Sequence, residues 1–276
     1  MEYRNQTELR VFHLKRSGGH AIFNWIAYCA HRPVFSINNL LARKIRWRGQ
    51  RVFQSVIDSA KRDEAKRTWR FELDPAADYR QLAEMPKDVL MWNVENVRIS
   101  SVPKERYYQI DGAQKVLGAS RETKTVLILR DAFNTFASVH RGIRRRRARL
   151  KTFYAKHWKA YAREFLGETS FLPADTVKIS YNGWFLDEEY RKKIAAQLGF
   201  EYTNEGINEV RGYGGGSSFT GQKFDANAQK MDVLNRWKHF EEDPIYRAAL
   251  DEETVSLSNR IFGDVSAGSF RGEAVR

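Results

Sequence analysis

Only one cysteine, Cys29, occurs in the 276 residues, so no internal disulfide can form and nothing asks for an oxidising compartment. Cys29 sits in an apolar stretch and reads as a buried structural thiol. No apolar run approaches the roughly 20 residues that a membrane span needs. The opening residues MEYRNQTELR also lack the apolar core of a signal peptide, so a cytoplasmic protein without a membrane span is expected. Proline is scarce, at six residues, with no Pro-rich linker and no internal repeat. One domain over residues 1–265 and a fraying polar tail over 266–276 are therefore expected. His13, His31, His157 and His239 are scattered, and no Cys/His cluster has zinc spacing, so no metal site is expected. The G-x-S-x-G elbow of common hydrolases is missing. So is the Walker A pattern G-x-x-x-x-G-K-[ST], which disfavours an ordinary ATPase or kinase. Acidic residues are in deficit, 34 against 47 Lys plus Arg, and the net charge of +13 points to an anionic ligand or partner. Nucleotides, nucleic acid and acidic glycans all qualify.

What is present is enough apolar surface to fold: 42% hydrophobic residues, 13% aromatic, seven of them Trp. Leu9 to Leu14 has strand character and breaks at Lys15-Arg16-Ser17-Gly18-Gly19-His20. Ile22, Trp25, Ile26 and Cys29 then recur at helical spacing. Val89 to Val94 predicts a second strand, ending in Glu95-Asn96. Thr125 to Leu129 predicts a third, running into Arg130-Asp131 and a helix with Phe133, Phe136, Ala137 and His140 on related faces. Further helices are predicted over Phe153 to Phe165 and over Asp187 to Leu198, the latter capped by Gly199. Between these two, Thr176 to Ser180 predicts a fourth strand. Residues 40–70 read as helix and loop, 211–221 as a glycine-rich loop, and 229–262 as helical. Strands alternating with helices imply an α/β domain, a parallel sheet covered on both faces, with ligands at the carboxyl ends of its strands. The polar clusters 15–20, 95–96, 130–138 and 181–184 all fall at such ends.

The first of these clusters carries a mechanism. A glycine pair between strand and helix lets backbone amides converge on an anion, the helix N-terminus adds partial positive charge, and Lys15 and Arg16 add full charges. The segment Lys15-Arg16-Ser17-Gly18-Gly19-His20-Ala21 resembles the 5′-phosphosulfate loop of the sulfotransferases that use 3′-phosphoadenosine 5′-phosphosulfate (PAPS). That loop commonly reads P-K-S-G-T-T-W or R-K-G-G-T-R. Arg16 falls where that family carries its catalytic Lys. A second likeness is the family's R-x-P-x-x-x-x-x-S, whose Arg and Ser hold the 3′-phosphate: here Val126 to Leu129 leads into Arg130, Ser138 stands at the same spacing, and Ala132 replaces the Pro. Arg suits phosphate through its planar fork. Val177 to Asn182 resembles the strand ending in Y-E-D whose Tyr lies near adenine, which implicates Tyr181, although Asn182 and Gly183 replace the acidic pair. Leu234 to Phe240 resembles the W-K-x-x-F segment that follows the cofactor loop, and the loop before it, Arg211 to Gly221, either wraps the 3′-phosphate with backbone amides, Ser217 and Ser218, with Phe219 beside them, or is a disordered surface excursion.

The resemblance implies a P-loop-like sulfotransferase domain that moves a sulfuryl group from PAPS to a hydroxyl or amine by in-line displacement. Arg16, Lys15, Glu95 and His20 are the catalytic candidates. Glu95 stands after the second strand where several members read V-E-K-T, and would serve as general base. Salt-bridging to Arg16 or Arg130 is its bland alternative, and His20 and then His140 are the other bases. The acceptor would be a small molecule or glycan, an acidic one suiting the basic stretch Arg141 to Lys151. Rival functions are a basic nucleic-acid-binding protein, built on Arg144 to Arg147 with nearby Phe153, Tyr154 and Trp158, and a divergent nucleotide kinase. The strand-end placement of single cations weighs against the first, and the 3′-phosphate pair against the second.

Overall fold

The computed structural model describes residues 2–32, 34–37, 84–104, 114, 117–142, 149–210 and 216–265. The helix and loop expected over 40–70, Arg144 to Arg147, Arg211 to Gly215 and the tail 266–276 lie outside the described residues.

Five strands form one parallel sheet in the order β2-β3-β1-β4-β5: β1 Asn5–His13, β2 Val34–Ile37, β3 Lys87–Glu95, β4 Ser120–Leu129 and β5 Val177–Ser180. Central β1 is buried along almost its whole length, as a strand covered on both faces must be. The sequence pattern missed β2. Four residues with Ser36 facing out are too short to show periodicity, and what defines the strand is its parallel register on β3, from Val34 opposite Val89 to Ile37 opposite Trp92.

The helices are α1 Gly19–Cys29, α2 Ala132–His140, α3 Lys156–Leu166, α4 Tyr181–Leu186, α5 Glu188–Leu198, α6 Pro244–Arg247 and α7 Glu252–Phe262. A π-helical turn, Leu150–Ala155, leads into α3. Helix α5 begins and ends as the sequence predicts, with the Asp187 carboxylate accepting from the Glu189 and Tyr190 amides and Gly199 left-handed at φ 74°. The helix expected over 229–262 is instead broken. Single 3₁₀ turns occupy Ala228–Lys230 and Arg236–Phe240, and α6 and α7 each restart on an aspartate cap, Asp243 and Asp251. Pro244, which has no amide hydrogen, fits only at the first position of such a restart.

The packing divides into two compact units. The first comprises residues 1–12, 30–126 and 171–177, with a core of Leu9, Val11, Phe35, Leu90 and Trp92. It contains a buried polar network spanning β1, β3 and β4. Glu8 accepts from Arg10 Nε at 2.8 Å, Trp92 Nε1 at 2.9 Å and Ser120 Oγ at 2.5 Å. Lys87 Nζ donates to Asn5 Oδ1 at 3.2 Å and to the carbonyls of Met85 and Leu117 at 2.8 and 3.1 Å. Burial pushes the Lys87 amine down to about 8, with the Glu8 charge opposing that fall. The second unit comprises residues 13–29, 127–170 and 178–276. Its core holds Ile22, Trp25, Leu129, Phe136, Trp158, Tyr161, Ile179 and Phe262. Trp158 meets Phe136 edge to face, 6.2 Å between centroids, and its indole donates to the Arg130 carbonyl at 2.8 Å.

Candidate functional site

The turn between β1 and α1 is closed by Ser17, whose amide and hydroxyl both donate to the Leu14 carbonyl, at 3.2 and 2.7 Å. Ser17 is buried, so its hydroxyl shapes the turn. Gly18 is left-handed at φ 78°, and a Cβ there would fall 2.1 Å from the Tyr181 ring; a Cβ on Gly19 would fall 2.3 Å from His13 Nδ1. Two side chains therefore press on the turn from within, and only glycine leaves them room. Arg16 also lies in the left-handed region at φ 69°, an uncommon conformation for a residue with a side chain. The Ala21 and Ile22 amides return to the Gly18 carbonyl at 3.0 and 3.4 Å, which starts α1 directly on the turn. The first amides of a helix have no partner inside it, so those of Gly19 and His20 begin an anion-binding end. Lys15, Arg16, His20 and Ala21 are half-buried along it, and the His20 ring stands edge-on to His13 at 5.7 Å.

The second cluster begins where β4 stops. Arg130 is 1% exposed. Its Nη1 reaches the Arg16 carbonyl and Ser138 Oγ, both at 3.4 Å, its Nη2 donates to the Val233 carbonyl, and its guanidinium lies 4.9 Å over the Tyr181 ring. Two turns of helix between Arg130 and Ser138 bring the pair together, as their spacing implies. Asp131 caps α2 by accepting from the Asn134 amide at 2.7 Å and accepts Asn182 Nδ2 at 3.0 Å, while its own amide donates to Asn182 Oδ1 at 3.3 Å. Burial pushes the Asp131 carboxyl up, against the Arg130 charge and these hydrogen bonds. An acid in place of Asn182 would put a second carboxylate there, so the departure from Y-E-D has a local cause.

Arg236 completes the cluster. It is 8% exposed, donates to Ser138 Oγ at 3.2 Å and to Ser217 Oγ at 3.0 Å, and its guanidinium lies 5.0 Å from the Phe219 ring. Burial, then the Arg130 and Arg16 charges, push it down to about 10. Two guanidiniums thus share one serine. Arg130 Nε and Ser218 Oγ are buried with no hydrogen-bond partner among the described residues. Ser217 to Gly221 is a closed turn, its ends exchanging both backbone hydrogen bonds at 3.0 and 2.9 Å, which gives order to the described half of the glycine-rich loop.

Arg236 lies in the segment that resembles W-K-x-x-F, where the resemblance implies no role for it. No spacing or periodicity in the sequence connects it to Ser138 or Ser217. Phe219 carries the guanidiniums of Arg141 and Arg236, each at 5.0 Å. Tyr181 is buried between Gly18 and Arg130. His140 Nε2 pairs with Asp243 at 3.1 Å, packed edge-on to Phe240 at 4.7 Å, which accounts for it structurally. Glu95 ends β3 in the first unit, half-buried, followed by left-handed Asn96 at φ 56°. Among the described residues no three His, Cys, Asp or Glu side chains gather as metal ligands would, and no helix is long and apolar enough to cross a membrane.

The chain is similar to the sulfotransferase domain from the olefin synthase of Synechococcus PCC 7002, at 15% identity over 94% of this chain and 95% of that one, with a TM-score of 0.51. The sulfotransferase domain from the curacin biosynthetic pathway aligns at 12% identity over 93% of this chain and 98% of that one, with a TM-score of 0.49. No family model and no curated protein matches the sequence. At such identity the likeness defines the fold: an α/β domain with the architecture of sulfotransferase domains.

Proposed function

We propose that the protein is a PAPS-dependent sulfotransferase acting on a hydroxyl or amine of a small-molecule or glycan acceptor. The carrying observation is the convergence of Arg130 and Arg236 on Ser138, with Ser217 beside them and Ser218 Oγ buried without a hydrogen-bond partner among the described residues, while Arg130 Nε stands 4.0 Å from the Asp131 carboxylate. Two like charges held together in low dielectric repel, and a dianion between them turns that repulsion into attraction. The donor set fits a phosphate: planar forks and hydroxyls. A second anion-binding end, at Gly18 to Ala21, lies in the same unit. The two suit a ligand with phosphate groups at both ends of one nucleoside.

PAPS, when bound, supplies the sulfuryl group and leaves as adenosine 3′,5′-bisphosphate. Arg130, Arg236, Ser138, Ser217 and Ser218 hold the 3′-phosphate. Lys15, Arg16 and the amides of Gly19 and His20 bind the 5′ side, with Ala21 beside them, and neutralise charge gathering on the leaving oxygen, an oxyanion-type role. Gly18 admits close approach, and Ser17 keeps the turn closed. The general base is Glu95, which the family resemblance supplies; His20, on the anion-binding turn itself, is the competing candidate.

Thermal melting with adenosine 3′,5′-bisphosphate, AMP and ATP tests the reading, since a ligand of the native state raises stability as ln(1 + [L]/Kd). The bisphosphate is expected to stabilise most, and Arg130→Ala to abolish its advantage over AMP. Equal shifts from AMP and the bisphosphate in the unaltered protein would overturn the assignment. ATP as the strongest ligand would favour the kinase.

A further inference from the structure

Each of the two buried arginines rests on an aromatic ring: Arg130 on Tyr181 at 4.9 Å and Arg236 on Phe219 at 5.0 Å. Phe219 sits inside the closed Ser217 to Gly221 turn, and its amide donates to Ser217 Oγ at 3.3 Å, the atom that also receives Arg236 Nη2. The turn is built for this. Gly216 is left-handed at φ 72°, and a Cβ there would fall 2.7 Å from the Gly221 carbonyl oxygen, so the chain reverses tightly enough to bring Ser217 and Phe219 to the same guanidinium. His239 at 5.3 Å and Phe240 at 6.2 Å pack against the same ring.

We propose that Phe219 is a positioning residue whose π face holds the Arg236 guanidinium toward Ser138 and Ser217, keeping the two-arginine cluster ready for a phosphate dianion. The proposal rests on the assignment of that cluster to the 3′-phosphate. Arg236 needs such support. Burial and the neighbouring Arg130 and Arg16 charges disfavour its charged form, with Tyr181 and Asp232 opposing them, and among the described residues its hydrogen bonds go to neutral serine hydroxyls. A ring quadrupole attracts the cation without neutralising it, so the charge stays available to an incoming anion. A carboxylate in the same place would hold Arg236 equally well and compete with the phosphate. Phe219 serves Arg236 as shelf, and the presence of a second guanidinium, Arg141, at 5.0 Å from the same ring argues against a ring kept open for stacking on a nucleobase.

Isothermal titration of the full chain and of its Phe219→Leu and Phe219→Trp variants with adenosine 3′,5′-bisphosphate and with AMP tests this. Leu keeps apolar bulk and removes the π face; Trp restores it. Phe219→Leu is expected to weaken the bisphosphate about 3- to 30-fold while AMP changes by less than about twofold, and Phe219→Trp to recover most of the loss, the range following from a desolvated cation–π contact. Equal losses in the Leu and Trp variants, or equal losses for the two nucleotides, would overturn the proposal in favour of simple packing. Stabilisation by inorganic sulfate over chloride, read by thermal melting, separates the two levels of inference. If the unaltered protein does not prefer the bisphosphate over AMP, the nucleotide reading falls. Loss of the sulfate effect in Phe219→Leu and its return in Phe219→Trp still supports the positioning role, and an unchanged sulfate effect refutes it.

Discussion

Replacing Arg236 by Met should move ligand affinity and unliganded stability in opposite directions. The side chain is 8% exposed, and burial, then the Arg130 and Arg16 charges, lower its pKa to about 10, so that it stays charged at neutral pH at a cost. Set against the ordinary arginine value, that corresponds to roughly 3 kcal/mol of penalty on the charged form, at 1.36 kcal/mol per pH unit. Met keeps the apolar stem and removes the charge. The lost hydrogen bonds to Ser138 and Ser217 offset part of the gain, at about 1 to 3 kcal/mol together. Arg236→Met should therefore melt at or slightly above the temperature of the unaltered protein. Its bisphosphate affinity should fall by about 2 to 5 kcal/mol, the scale of truncating one partner of a desolvated charge pair. The assay is thermal melting with and without the bisphosphate. At a concentration of 100 Kd the unaltered protein gains about 2.7 kcal/mol, a rise of roughly 5 °C or more for a domain of this size. For a variant weakened 100-fold the same concentration contributes only about 0.4 kcal/mol and a shift near 1 °C. An Arg236→Met protein that melts several degrees lower yet keeps the full ligand shift would refute the account, making Arg236 a structural cation.

Three further outcomes are expected. Arg16→Ala should lower kcat with PAPS by roughly 10²-fold or more, the scale of losing one oxyanion donor, with an unchanged melting temperature; full activity would remove Arg16 from the chemistry. Glu95→Gln should lower kcat by about 10²- to 10⁴-fold with little change in PAPS affinity. Retained turnover in that variant, together with its loss in a cofactor-binding His20→Ala protein, would transfer the base role to His20. In the first unit, Lys87 is charged in folded and unfolded chains below about pH 8, and above it the folded amine deprotonates first. The unfolded state then binds more protons, so this group makes stability rise with pH between about 8 and the ordinary lysine value. Urea unfolding of Lys87→Met across that interval should show a flatter profile, and an unchanged slope would show that another group sets it.

Much of the frame follows from local sequence. Alternating apolar runs and helical spacings are short-range signals, and they located β3, β5, α1, α2 and α5 closely, while β1 and β4 begin four and five residues earlier than their apolar runs, at Asn5 and Ser120. Arg130 and Ser138 were legible together through the family resemblance, in which an Arg after a buried strand is followed by a Ser eight positions on, and the long Arg130 side chain spans that distance to reach Ser138. Gly18 and Gly19 were legible as a turn. The clash each avoids was not, since Tyr181 and His13 arrive from elsewhere in the chain.

What only the tertiary structure decided is long-range or depends on burial. Strand β2 exists through its register on β3, not through its own four residues. The segment 229–262 reads as one helix by composition, yet Asp243 and Asp251 find amides to cap, and the helix restarts twice. Arg236 stands 98 residues from Ser138 and 19 from Ser217, and no spacing rule connects a lone arginine to either. Its role arises from desolvation beside Arg130, a property of the folded interior. The sequence therefore determined which segments could form strand ends rich in cations, because propensity and periodicity act over a few residues. Which of those cations meet around one serine, and on which aromatic rings they rest, was left to the packing of segments that are distant along the chain.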